Sequence, residues 1–552
     1  MSQNSDDTPT GPIGARAAPT QQLPARAPTA PTPRWNGVRD LVTAALIVAA
    51  ALLPWNLYFG IGIPGSNTAL FALLIAVSVL ALGALVGPWK SSSRVRLVLN
   101  APYVLLVLAF VAFDVFETIR SGGTVHVPGG VGPGAWLGIA GALSGAQPAI
   151  TGLGTEHEAD DRSFSRWLRA AQITGYASII GAALSFGFNL AWRITFAIRG
   201  SNGSSGFGKE NVAVILTAVV YGAVAFVAVF VASRWLLRGT KAGRLATSAL
   251  GLSTLAAGVI VWLLPVGREI DAFHGIAQNT STAGVGYEGY LAWAAGAAIF
   301  APRTLFGAWS APPSDRSAWG EAARKGLALI AIWCFGSVLM RITDLVVAVL
   351  LNYPYSRYDT VTLAVFDGAT GVLAIWLRRT LANTSGSARP IASLCGALAT
   401  LTIARVIVGI MLAPRFEASS VPPNPVYGNN LAQQITSTFD VVLCGLALGI
   451  FVAAVIVGRR RRRPARRRPA AHGRGGTGPA RAGQAQPGAR VAPAAAPTTN
   501  FAVAAGGEAP TTVLSAPGAS PRIFRAGESA TRQMPAQTPG AAPKIYRRPD
   551  GP

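Results

Sequence analysis

The chain has 552 residues, of which 51% are apolar and only 13% charged, with a formal net charge of +24. So little charge excludes a water-soluble chain of this size, since soluble domains carry about 25% charged residues, and it places the protein in the membrane class. The basic excess is local: residues 458–552 hold seventeen Lys or Arg against Glu508, Glu528 and Asp550, which puts +14 of the charge in one terminal segment.

Residues 1–35 are rich in Pro, Thr, Ala and Gln without apolar periodicity, and they read as a disordered cytoplasmic lead that cannot offset the entropy of ordering. No secretory leader is expected, because this polar stretch precedes an apolar segment of full span length. Residues 36–457 then form a transmembrane domain. Apolar spans follow at 40–59, 67–88, 97–118, 134–153, 172–192, 211–233, 245–265, 287–302, 326–351, 360–377, 391–412 and 436–457. Most approach the roughly 20 residues that a helix needs to cross about 30 Å of hydrocarbon. The expected fold is therefore all-α, a polytopic bundle of about twelve transmembrane helices. Residues 458–552, dominated by Arg, Ala, Pro and Gly, form a second disordered cytoplasmic tail.

Orientation follows from the basic residues of alternate loops, because positive loops stay in the cytoplasm. With the amino end inside, the five inner loops, among whose cations are Lys90, Arg94 and Arg96, hold seventeen Lys or Arg and the six outer loops hold seven. Trp55, Trp89, Trp136, Trp192, Trp235 and Trp376 fall near span ends, as an aromatic belt places them. The predicted location is the cell (inner) membrane, with both ends cytoplasmic. Two hints point to a duplication of six helices plus six. Leu52-Leu53-Pro54 recurs as Leu263-Leu264-Pro265, 211 residues on, and Arg193 and Arg405 are 212 apart.

Ionisable side chains inside spans cost roughly 2.5–3.5 kcal/mol each at the helix centre, so each is a functional candidate by default. They are Asp114 and Glu117 on span three, Arg193 on span five, Arg341 and Asp344 on span nine, Asp367 on span ten, Arg405 on span eleven and Asp440 on span twelve. All fall toward the outer ends of their spans, as they would around a water-accessible cavity opening outward. Arg341, Arg405 and Arg193 are the candidate substrate-binding cations. Asp344, Asp367, Asp114 and Asp440 are candidates for proton transfer or charge balance. The bland alternative makes Arg341 and Asp344, three residues apart, a structural ion pair on one helix face, with Glu117, Arg193 and Asp440 snorkelling to the interface.

Span four carries Gly134, Gly138, Gly141 and Gly145, small residues that let another helix approach closely, and Pro148 near its end offers a hinge. The run from Gly203 to Lys209 has phosphate-loop spacing, but Glu210 stands where Ser or Thr is needed and no strand precedes it, so it reads as a loop. The stretch Thr155–Arg169 places acids before bases and predicts a short interfacial helix. Cys334, Cys395 and Cys444 lie in apolar stretches and imply no disulfides, and the four histidines are too scattered for a metal site. No cofactor is expected. Arg459, Arg460, Arg461, Arg462, Arg463, Arg466, Arg467 and Arg468 should anchor the tail on anionic lipid, with a cytoplasmic protein partner as the alternative. Nucleic acid is disfavoured, because aromatics are not interleaved with the bases.

The segment from Leu52 to Pro64, LLPWNLYFGIGIP, with many short-looped spans and a basic tail, resembles uncharacterised multi-span membrane proteins of actinobacteria. That resemblance implies a membrane fold and brings no activity. Twelve spans also invite comparison with major facilitator transporters, but the loop from Gly87 to Arg96 lacks their acid and the link between spans six and seven is too short. The leading expectation is a secondary transporter or lipid-intermediate flippase of the cell envelope handling an anionic substrate, not an enzyme. The alternatives are a non-catalytic membrane scaffold that recruits cytoplasmic partners through its tails, and a membrane-embedded glycosyl or lipid transferase.

Overall fold

The structure, a computed structural model, describes residues 32–55, 67–86, 92–120, 130–148, 158–201, 207–264, 285–310, 316–352, 357–383, 388–412 and 437–462. All belong to one unit of the chain, residues 1–470, and residues 471–552 lie outside the description. The described residues are all-helical, in twelve helices: α1 (Thr32–Leu52), α2 (Thr68–Gly83), α3 (Ser93–Arg120), α4 (Pro133–Ala146), α5 (Glu158–Ser201), α6 (Lys209–Arg238), α7 (Lys241–Leu263), α8 (Tyr287–Ser310), α9 (Arg316–Leu350), α10 (Arg357–Ala382), α11 (Ala388–Leu412) and α12 (Thr438–Arg462).

Eight of these, α3, α5, α6, α7, α9, α10, α11 and α12, are long and apolar enough to cross a membrane; α2, with 16 residues, is apolar but shorter. The outer surface has the same character. Leu41, Leu105, Leu184, Val365 and Met411 are each more than 60% exposed, whereas Arg39, Arg96, Asp114, Arg341 and Asp367 are buried. Apolar groups facing out and charges facing in would be untenable in water, where large exposed apolar patches drive association, and they are the arrangement that a bilayer demands. The protein is a multi-pass membrane protein.

The packing repeats every four helices. In each of the sets α1–α4, α5–α8 and α9–α12, every helix packs on the next and the fourth returns to the first; α4 on α8, α7 on α12 and α6 on α9 join the sets. The six-helix interval expected from the sequence has no such counterpart, since α1 lies along α4 whereas α7, six helices on, lies along α8 and α12.

Helix α4 is enclosed on all sides: every residue but Leu143 is buried. At 14 residues it spans about 21 Å, too little to cross the hydrocarbon alone. Its start is instead tied to the end of α1, where Gly132 N donates to Trp55 O at 2.6 Å and Gly134 N donates to Pro54 O at 3.0 Å. Non-helical backbone at depth is tolerated when protein surrounds it in this way. The glycines of α4 serve close packing. A Cβ on Gly134 would lie 2.4 Å from Trp55, one on Gly138 2.7 Å from Tyr103, one on Gly141 2.8 Å from Ile47, and one on Gly145 2.8 Å from Asn100. The helix stops at Ala146, with Gln147 already extended, so Pro148 marks its end rather than a bend within it.

The acidic and basic stretch before span five is not a separate interfacial helix. Helix α5 runs unbroken for 44 residues from Glu158, so this stretch is the start of the helix that carries span five. Helix α12 extends through Arg462, so Arg459–Arg462 form its last turn, while Arg463 and Arg466–Arg468 lie outside the described residues.

Candidate functional site

Each helix of the third set contributes one ionisable side chain to a single buried network. Arg341 comes from α9, Asp367 from α10, Arg405 from α11 and Asp440 from α12, and all are at most 5% exposed. Asp367 is the hub. It accepts hydrogen bonds from Arg341 Nε at 2.8 Å, from Ser337 Oγ at 2.7 Å and from Arg405 Nε. Arg405 uses the rest of its fork on Asp440 and on Ser337 Oγ, the latter at 3.0 Å. Asp440 is fixed locally by the start of α12, where it accepts from the backbone N of Ser437 at 2.9 Å, one half of a Ser-x-x-Asp capping box, and its charge meets the positive end of the helix dipole. Trp333 Nε1 donates to the same carboxylate at 2.6 Å.

Arg341 is the exception to this saturation. Only Nε is engaged, and Nη1 and Nη2, both buried, have no hydrogen-bond partner among the described residues. One turn away, Asp344 accepts from Thr360 at 3.5 Å through Oδ2 and leaves Oδ1 without a partner. The expected pair of Arg341 with Asp344 therefore does not form. Three-residue spacing puts both on one face of α9, but the guanidinium turns across the helix interface to Asp367. Tyr221 of α6, whose hydroxyl donates to Met340 O at 3.3 Å, lies within electrostatic reach of both side chains.

The other sequence candidates lie elsewhere. Arg193 on α5 is near Asn189, its Nε 3.4 Å from Asn189 Oδ1. Asp114 on α3 faces Tyr287 at the start of α8. Glu117 pairs with Arg120 at 3.4 Å near the end of α3. Sequence reasoning passed over Glu288, which lies in the first turn of α8 as Asp440 does in α12 and accepts from Ser185 at 2.5 Å. It also passed over Ser337 and Trp333, whose roles arise only from neighbouring helices.

The network is poorly explained by stability alone. Buried ion pairs cost as much in desolvation as they return, and apolar replacements are often as stable, so their retention asks for another reason. The two Nη groups of Arg341, buried and without a hydrogen-bond partner among the described residues, have the fork geometry that matches the two oxygens of a carboxylate or phosphate.

No curated protein and no solved structure matches the chain. One family model, described as a domain of unknown function (DUF7937), matches residues 36–459.

Proposed function

Since the chain belongs to that DUF7937 family, which passes on no activity, we propose from the site alone that it is a secondary transporter or lipid-intermediate flippase whose anionic substrate binds at Arg341. The observation that carries this reading is the buried guanidinium end of Arg341, held at its root by Asp367 and, among the described residues, unpartnered at its tip. A buried, unmet donor costs about 1–3 kcal/mol and more when charged, so a group kept in that state is prepared for a partner that comes and goes.

Asp344 supplies the coupling. With Asp344 ionised, a bound anion and the carboxylate compete for one cation; protonation of Asp344 removes the competition, so substrate and proton travel together. Arg405, saturated by Asp367, Asp440 and Ser337, holds the hub in place. The charge bias of the loops sets these groups in the outward half of the cell membrane, with both termini cytoplasmic and the arginines at and beyond the end of α12 against anionic lipid.

The test uses the full-length protein purified in detergent and followed by thermal unfolding against inorganic phosphate, sulfate, mono- and dicarboxylates and a polyprenyl phosphate. At least one of these should raise the melting temperature of wild type and leave Arg341→Met unmoved. Equal shifts in both proteins, or none in wild type, defeat the assignment.

A further inference from the structure

A simple anion would meet only one of two unmet charged groups at the site. Arg341 and Asp344 leave α9 three residues apart, about 4.5 Å along the helix axis, and are 1% and 4% exposed. The guanidinium is held at Nε by Asp367 at 2.8 Å, and its two Nη groups have no hydrogen-bond partner among the described residues. The carboxylate is held only at Oδ2, by the Thr360 hydroxyl at 3.5 Å, and its buried Oδ1 likewise has no partner among the described residues. Neither group is bonded to the other, although each lies within the other's electrostatic reach.

The neighbouring helix keeps the two apart. Asp367, which anchors Arg341, and Thr360, which anchors Asp344, are both on α10, seven residues from each other and so about 10.5 Å apart along its axis. Arg341 is thus drawn toward one end of α10 and Asp344 toward the other, and a cationic fork and a carboxylate oxygen flank the space between them. A simple anion on the fork leaves the carboxylate to be met by a proton. An ammonium group on the ligand itself meets it equally well. A ligand carrying both charges satisfies fork and carboxylate together and brings no net charge into a dry site, which lowers the main cost of burying an ion.

We propose that the Arg341 site prefers zwitterions to simple anions, with the carboxylate or phosphate of the ligand on the two Nη groups of Arg341 and its ammonium on Asp344 Oδ1. The proposal rests on the reading of Arg341 as the anion-binding group and narrows the substrate class. A free amino acid and a phosphoethanolamine group share this chemistry, and the second can come free in solution or as a lipid headgroup.

The experiment titrates delipidated full-length protein at neutral pH with matched pairs that differ only in the ammonium, and reads apparent affinity from thermal stabilisation. The pairs are β-alanine with propionate, phosphoethanolamine with ethyl phosphate, and, in mixed micelles, phosphatidylethanolamine with its N-acetyl derivative. In at least one pair the zwitterion should bind wild type about tenfold tighter than its partner, or more. A preference in a soluble pair assigns a free solute, and one confined to the lipid pair assigns a headgroup. Asp344→Asn, which keeps the shape and loses the charge, should bring the two members of that pair to equal affinity, and Arg341→Met should lose the response to both. The proposal is overturned if no zwitterion binds wild type more tightly than its matched anion, or if Asp344→Asn keeps the full preference. The reading of Arg341 survives that result where an anion stabilises wild type and not Arg341→Met, and falls with the proposal where no member of any pair stabilises wild type. The comparison of pairs in wild type needs no variant, so a substitution that fails to fold leaves the test decisive.

Discussion

Removing Asp367 and removing Arg341 should have opposite balances of stability and function. Asp367 is fully buried and neutralises two guanidinium groups, so Asp367→Asn keeps the shape but leaves Arg341 without its one counter-ion and Arg405 with Asp440 alone. Breaking a buried pair from one side costs about 3–5 kcal/mol, and here one carboxylate serves two cations, so the upper part of that range applies. Arg341→Met removes a side chain of which two nitrogens are already unmatched and leaves Asp367 on Arg405 and Ser337, so its cost should stay below about 2 kcal/mol. The double variant should recover part of the Asp367→Asn loss, because the stranded cation is gone. Unfolding in mixed micelles of increasing dodecyl sulfate, followed by tryptophan fluorescence, reads all three. Asp367→Asn within about 1 kcal/mol of wild type, or Arg341→Met as damaging as Asp367→Asn, would refute the reasoning.

Three further outcomes follow from the same geometry. Gly251→Ala should sharply reduce monodisperse protein in fluorescence-detected size exclusion, because its Cβ would sit 2.1 Å from Trp293 O and 2.5 Å from the Ala297 Cβ, whereas Gly449→Ala, with nothing within 4 Å, should be neutral. Asp344→Asn should retain anion-dependent thermal stabilisation but lose its dependence on pH; an unchanged pH profile speaks against Asp344 as the coupling group. Reporter fusions after Lys209 and Gly428 should be active on the periplasmic side and those after Gly239 on the cytoplasmic side, and the reverse pattern removes the outward placement of the network.

Much of this architecture was legible from residues alone, and the exceptions have physical causes. The twelve helices follow from hydropathy, and the packing role of Gly134, Gly138, Gly141 and Gly145 follows from the need of two backbones to approach. The members of the network in the last four helices were found by depth and charge. Their pairing was not, because spacing fixes which face a side chain leaves from and not which neighbouring helix it meets; Arg341 turns to Asp367 rather than to Asp344. Arg39 and Arg96 were hidden for a different reason. The count of positive loops treats cations at span ends as solvent-facing, yet α1 and the first turn of α3 direct these two inward onto the end of α4. The four-helix period left little mark in the sequence, since equivalent helices differ as much as α2 and α6, with 16 and 30 residues.

The central claim is that the free end of Arg341 receives an anion that crosses the membrane with a proton. Uptake of the stabilising anion into proteoliposomes under an imposed pH gradient tests it most directly. Wild type should accumulate the anion saturably and only with the gradient present, while Arg341→Met and Arg405→Ala, reconstituted at equal amounts, should not exceed empty vesicles. Undiminished, gradient-driven accumulation by Arg341→Met would contradict the account.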